Sequence, residues 1–136
     1  MKVVLDTNCF ISSIGKRSDF RNVFDAYLDG IFTLCVSTEV LLEYEEKFGQ
    51  FWGESVTHNL LGLILTSENT TLHSIFFSFN LVTDDPDDNK FADLYLSSGA
   101  DLLISNDKNL LALNDNKFPI LRVIKLEEFS HQLKTN

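Results

Sequence analysis

Apolar residues recur along this chain in two rhythms. Short continuous runs at Lys2 to Leu5, Ile31 to Val36, Asp101 to Ser105 and Ile120 to Ile124 predict buried strands. Helical spacing predicts a helix over Ser18 to Asp29, with Phe20, Val23, Phe24, Tyr27 and Leu28 as its stripe, Ser18 as its cap and Gly30 as its stop. Ser37-Thr38-Glu39 reads as the capped, acidic first turn of a second helix, which carries Glu43. Further helices are predicted over Glu54 to Ser67, through Phe91, Ala92, Leu94, Tyr95 and Leu96, and over Lys108 to Leu113 and Leu126 to Leu133. Pro86 suits the first turn before Phe91, where its missing N–H costs nothing, and Gly99 suits the end of that helix. Leu72 to Val82 fits either period, with Ile75, Phe76, Phe77 and Phe79 favouring an extended segment.

Strands alternating with helices predict an α/β fold, a parallel sheet with helices on both faces. Ligands of such sheets bind beyond the carboxyl ends of the strands. At 136 residues the chain is expected to form a single domain, 1–136, able to bury a core without disulfides or a structural metal.

Composition narrows the chemistry. No apolar run approaches the roughly 18 residues needed to cross a bilayer, and Met1-Lys2 leads directly into strand-like sequence, so a cytoplasmic protein with no membrane partner is expected. Cys9 and Cys35 lack paired spacing, and His58, His73 and His131 are scattered; buried thiols are expected, with no zinc site. Twenty acidic against 11 basic residues give a net charge of −9, which argues against a nucleic-acid scaffold held by bulk electrostatics. Acidity of this kind is compatible with a nucleic-acid enzyme if the carboxylates hold cations, which reverse the local field.

The carboxylates stand where that would happen. Asp6 directly follows Val3-Val4-Leu5, Asp107 follows Ile104-Ser105-Asn106, Glu43 lies between Leu42 and Tyr44, and Asp87 and Asp88 belong to Asp84-Asp85-Pro86-Asp87-Asp88. Each has an ordinary explanation: Asp6 and Asp107 can cap short helices, Glu43 can be one charge on a solvated face, and Asp87 and Asp88 can favour a helix start at about 0.3–1 kcal/mol each. Four acids in five positions are harder to dismiss, because like charges so close repel unless a cation compensates. Hard oxygen donors without His or Cys suit Mg²⁺ or Mn²⁺, and metal-assisted phosphodiester hydrolysis with an activated water is the matching chemistry.

Taken in order, Val4-Leu5-Asp6-Thr7-Asn8, Ser37 to Glu43 closing in Leu42-Glu43-Tyr44, Asp85-Pro86-Asp87-Asp88-Asn89-Lys90-Phe91, and Gly99 to Asp107 with Leu110-Leu111 behind it form a pattern. It resembles that of PIN-domain ribonucleases, in particular the bacterial toxin components of toxin–antitoxin pairs, over almost the whole chain. The resemblance implies a three-layer α/β/α fold with a central parallel sheet, one or two Mg²⁺ or Mn²⁺ ions, and Asp6, Glu43, Asp88 and Asp107 as catalytic metal ligands. It selects Asp88 over Asp87, which periodicity leaves open. It further implies Asn8 and Ser105 as supporting residues, an RNA substrate, an antitoxin partner and a homodimer. Lys90, Lys108 and Arg17 are candidates for gripping RNA, with Lys16 and Arg21 behind them, and Phe48, Phe51 and Trp52 for an interface or simply for the core. The family often has Thr-Gly-Asp where this chain has Ser105-Asn106-Asp107, which puts substrate access past Asn106 in question.

Two other classes compete. A binding module of the same fold with little or no turnover would fit the net acidity. A different aspartate-based phosphate enzyme or a receiver domain would share the size and sheet, but Asp6-Thr7-Asn8 lacks the second acid of a DxD pattern, and no acidic pair follows the first strand.

Overall fold

The computed structural model describes residues 1–135. Its centre is a five-stranded, wholly parallel sheet in the order β3-β2-β1-β4-β5. The strands are β1 (Lys2–Leu5), β2 (Thr33–Val36), β3 (Thr70–Leu72), β4 (Leu102–Ile104) and β5 (Val123–Ile124). Seven helices flank it: α1 (Thr7–Ile14), α2 (Arg21–Leu28), α3 (Thr38–Trp52), α4 (Glu54–Thr66), α5 (Asn89–Ser98), α6 (Lys108–Leu111) and α7 (Leu126–Thr135). The predicted three-layer α/β/α architecture is therefore present.

The central strands are buried on both faces, so their sequences are uniformly apolar: Val3, Val4, Leu5, Leu102, Leu103 and Ile104 are all essentially inaccessible. Leu5 aligns with Ile104, and the Asp6 N–H continues the ladder to the Ile104 carbonyl at 2.9 Å. Chain progression runs from β1 outward through β2 and β3 on one side, and through β4 and β5 on the other. The carboxyl ends of β1 and β4 thus flank the point where strand order reverses, the place such sheets reserve for ligands.

Several element boundaries move from their predicted positions. Ser18 does not cap a helix; its hydroxyl donates to the Ser12 carbonyl and accepts the Phe20 N–H, and α2 begins only at Arg21. Pro86 opens a 3-10 turn, Pro86–Asp88, that runs into α5, and Gly99 ends α5 at φ +67°. The last strand shrinks to Val123–Ile124, leaving Ile120 exposed.

The third strand is Thr70–Leu72, upstream of the aromatic run. Residues 73–82 form no regular element; Phe76 and Phe77 are 83% and 73% exposed. This strap is fixed by its ends and by α5. The His73 N–H reaches the Val36 carbonyl, Asp93 accepts the Phe79 N–H at 3.0 Å, and the Asn89 amide clasps both backbone groups of Val82 at 2.8 and 2.9 Å.

Of the candidate interface residues, Phe48 is fully buried in an aromatic cluster with Phe10 and Tyr44, Trp52 is partly buried, and Phe51 is 66% exposed. Both cysteines are buried free thiols, as expected. Among the described residues no helix is long and apolar enough to cross a membrane.

Candidate active site

Asp6 is the residue between β1 and α1, and its carboxylate does not cap that helix. Instead Oδ2 accepts a hydrogen bond from the Ser105 hydroxyl at 2.6 Å, a contact made between two buried side chains at the ends of β1 and β4. The principal tie of Asp6 therefore runs across the sheet to Ser105. Burial raises the Asp6 pKa and the Ser105 bond opposes it; Glu43 and Asp107 raise it again by repulsion, and the Asn8 N–H lowers it least.

Ser105 serves two acids. Its oxygen also accepts the Asp107 N–H at 3.0 Å. Asp107 does cap α6: Oδ1 accepts from Asn109 at 2.7 Å and from Leu110 at 3.4 Å. Capping and a site role are compatible here, because the caps use one of its two oxygens.

Asp88 lies at the junction of the 3-10 turn and α5 and makes no capping bond. Its Oδ2 is shut away from solvent with no hydrogen-bond partner. Its pKa is pushed up to about 7, first by desolvation, then by repulsion from Asp107, Asp85 and Asp6. A bond to Asp107 that only a protonated carboxyl can donate adds to the shift. Asp87, by contrast, is exposed, and Asp85 caps the turn through the Asp87 N–H.

Glu43 comes from the second turn of α3, whose first turn is capped by Ser37 through the Val40 N–H. Next to it, the buried Tyr44 hydroxyl donates to the Leu5 carbonyl at 2.6 Å, which ties α3 to the end of β1. Glu45 and Glu46 point to solvent. Glu43 instead accepts from the Thr7 hydroxyl through Oε2 and from Lys90 Nζ at 3.0 Å through Oε1.

The structure thus brings Asp6, Asp88, Asp107 and Ser105 together, with Glu43 close enough to Asp6 to raise its pKa. It sorts the remaining candidates unevenly. Lys90 is committed to Glu43, and Arg21 to Asp25 and the Ile14 carbonyl. Lys16, Arg17 and Lys108 are exposed. Asn8 is exposed, and among the described residues its side chain makes no hydrogen bond; the supporting contact belongs to its neighbour Thr7, which sequence reasoning passed over. Helical phase was the available signal, since Thr7 shares the inward face with Phe10 whereas Asn8 is turned about 100° away.

The donor set suits a hard divalent cation: carboxylate oxygens only, mutually repelling, one of them buried and unpartnered. Among the described residues no three donors yet converge tightly enough to hold an ion, so the fit is one of chemistry and charge.

Comparison with known proteins shows the family and agrees with the fold. The family model described as "PIN domain" matches residues 2–109. A search of curated protein sequences gave no match. Similar solved structures include VapBC2 from Rickettsia felis bound to a DNA fragment from their promoter, at 17% identity and a TM-score of 0.63, covering 92% of this chain and 98% of that one. DNA-bound VapBC from Salmonella typhimurium follows at 18% identity and a TM-score of 0.59, with 93% and 98% covered. The PIN domain endonuclease Utp24 is similar at 19% identity and a TM-score of 0.54, with 91% and 84% covered.

Proposed function

The chain belongs to the PIN-domain family, a family of nucleases, and from that premise we propose that it is a metal-dependent endoribonuclease, the toxin of a toxin–antitoxin pair. RNA phosphodiester hydrolysis would occur at Asp6, Asp88 and Asp107, with Glu43 beside them. The observation that carries this reading is the buried Asp6 carboxylate, held by Ser105 at the sheet's reversal point rather than spent on a helix cap, facing acids that repel it.

Asp6, Asp88 and Asp107 would hold Mg²⁺ or Mn²⁺. When bound, such an ion supplies Lewis acidity and lowers the pKa of a bound water below its bulk value of about 15.7. The chain's own part is positional. By donating to Oδ2, Ser105 opposes the upward shift of the Asp6 pKa and so favours the ligating carboxylate, and it fixes the Asp107 backbone at the same time. The α6 caps leave one Asp107 oxygen for the site. Exposed Lys108, one residue on, and exposed Arg17 are the proposed contacts to an RNA backbone.

An antitoxin and a second copy of the chain are the proposed protein partners. Exposed Phe51 near the end of α3, at 66%, supports an apolar contact there.

Cleavage of a structured RNA should require Mg²⁺ or Mn²⁺ and disappear in Asp6→Asn. Cleavage in chelator, or a fully active Asp6→Asn, refutes the mechanism. A binding module without turnover draws support from the unconverged donors; it replaces this reading if calorimetry detects no divalent binding down to millimolar affinity.

A further inference from the structure

The acidic cluster divides into two unlike parts. Asp6, Asp88 and Asp107 repel one another, and Asp88 keeps a buried oxygen without a partner. Glu43 is satisfied on both oxygens, by Thr7 and by Lys90, in a pair whose side chains are only 16% and 19% exposed. Among the described residues, Lys90 is the one basic side chain paired with a cluster acid, and it pairs outside the trio.

The backbone joins the two parts twice. Asp6 and Thr7 are consecutive at the start of α1, one serving the trio and the other Glu43. Asp88 and Lys90 stand two residues apart at the start of α5, again one for each part. The backbone that places Asp88 therefore also brings Lys90 beside the trio, and the bond to Glu43 fixes its ammonium there. A merely solvated Lys–Glu contact needs no such enclosure, and taking both charges out of water has a desolvation cost.

Resting on the ribonuclease reading above, we infer that the Lys90 ammonium, held by Glu43, which Thr7 in turn orients, occupies the position of a second cation, so that the protein binds a single divalent ion through Asp6, Asp88 and Asp107. Two-ion phosphodiester sites hold their ions about 3.5–4 Å apart, one for the attacking oxygen and one for the leaving oxygen. A carboxylate oxygen that receives an ammonium at 3.0 Å keeps a lone pair for an ion, but an ion bound there would sit against the ammonium's like charge, which opposes it. The other Glu43 oxygen is taken by the Thr7 hydroxyl. An ammonium has three donors, and Glu43 uses one. The other two are free to meet phosphate oxygens as negative charge develops there. Glu43 on this account is a positioning residue for Lys90, not a ligand.

Mn²⁺ titration of the full chain, with free ion read by electron paramagnetic resonance, tests this without RNA. Wild type and Lys90→Arg should each bind one ion. Lys90→Met, which keeps the apolar stem, should bind a second, and Glu43→Gln added to it should return the number to one. Glu43→Gln alone should change the first affinity far less than Asp6→Asn, which should weaken it about tenfold or more. Two ions on the wild type, one ion on Lys90→Met, or a Glu43→Gln loss as large as that of Asp6→Asn each overturn the inference. Those results leave the metal-dependent ribonuclease standing; a wild type that binds no Mn²⁺ removes both.

Discussion

Ser105→Ala is the most informative single change, because one buried hydroxyl serves two acids. It deletes the 2.6 Å donor to Asp6 and the 3.0 Å acceptor of the Asp107 N–H, in a residue with no exposed surface. A hydrogen bond to a charged group contributes about 1.5–3 kcal/mol, and a stranded buried N–H costs about 1–3 kcal/mol. The two are not additive, and water entering the methyl-lined gap recovers part, so about 3 kcal/mol is expected. With about 2.1 cal/mol/K of unfolding entropy per residue, 136 residues give roughly 0.29 kcal/mol/K. The midpoint should therefore fall by about 10 °C.

The pH dependence separates this account from simple cavity formation. Asp6 has a raised pKa, so its neutral form is favoured in the fold; the stability this gives is complete below the unfolded value of 3.8 and is lost as pH rises through the folded pKa. Ser105 is the strongest influence acting the other way, and its hydroxyl favours the ionised carboxylate. The deficit of Ser105→Ala in urea unfolding should accordingly be smallest near about pH 4 and grow as Asp6 ionises. Ser105→Thr keeps the hydroxyl and should retain the wild-type pH dependence, at about 1–3 kcal/mol for the added methyl. A Ser105→Ala cost under about 0.5 kcal/mol, or one that is flat with pH, refutes the two-acid role.

Other consequences are more local. Asp88, raised to about 7, stabilises the fold most below 3.8 and loses that contribution as pH rises through about 7, so without divalent ions Asp88→Asn should flatten the pH–stability curve and exceed wild type in thermal midpoint at alkaline pH. Tyr44→Phe strands the Leu5 carbonyl and should cost about 1–3 kcal/mol in urea unfolding. Asn89→Ala removes both bonds to Val82 and should make residues 73–82 the first site of limited proteolysis, while Phe76→Ser, at a position 83% exposed, should change stability by less than about 0.5 kcal/mol.

Legibility in the sequence followed burial. Val3-Val4-Leu5 and Leu102-Leu103-Ile104 are enclosed on both faces, so a continuous apolar run announces them. Their alternation with helices was enough to place Asp6 and Asp107 at one edge. Thr70-Thr71-Leu72 is a border strand, only half covered, and nothing apolar marks it. The run Ile75 to Phe79 carries the apolar signal of a strand but owes its path to Asn89, Asp93 and Val36, partners outside the run that no local period encodes. The same limit hid the Glu43–Lys90 pair, whose members lie 47 residues apart. Sequence offers Lys90 as a candidate grip for RNA but does not reveal the carboxylate that holds it.

Asn106 shows how a departure from a family pattern can be resolved by packing. A glycine between Ser105 and Asp107 leaves the backbone free to take positive φ, and an asparagine there raises two concerns, strain and obstruction. Neither is realised. Among the described residues Asn80 alone of the non-glycines has positive φ, so Asn106 sits in ordinary backbone space. Its side chain turns from the acids to α7, where Oδ1 accepts the Leu126 N–H at 3.1 Å and satisfies a donor at the helix start. The residue is thus bracketed: Ser105 is bonded to Asp6, Asp107 caps α6, and Asn106 caps α7. Three consecutive side chains each fix a different element, so the turn after β4 is held from three directions. What a glycine would leave to backbone freedom, this sequence replaces with a tie that holds the Asp107 carboxylate at the sheet's edge.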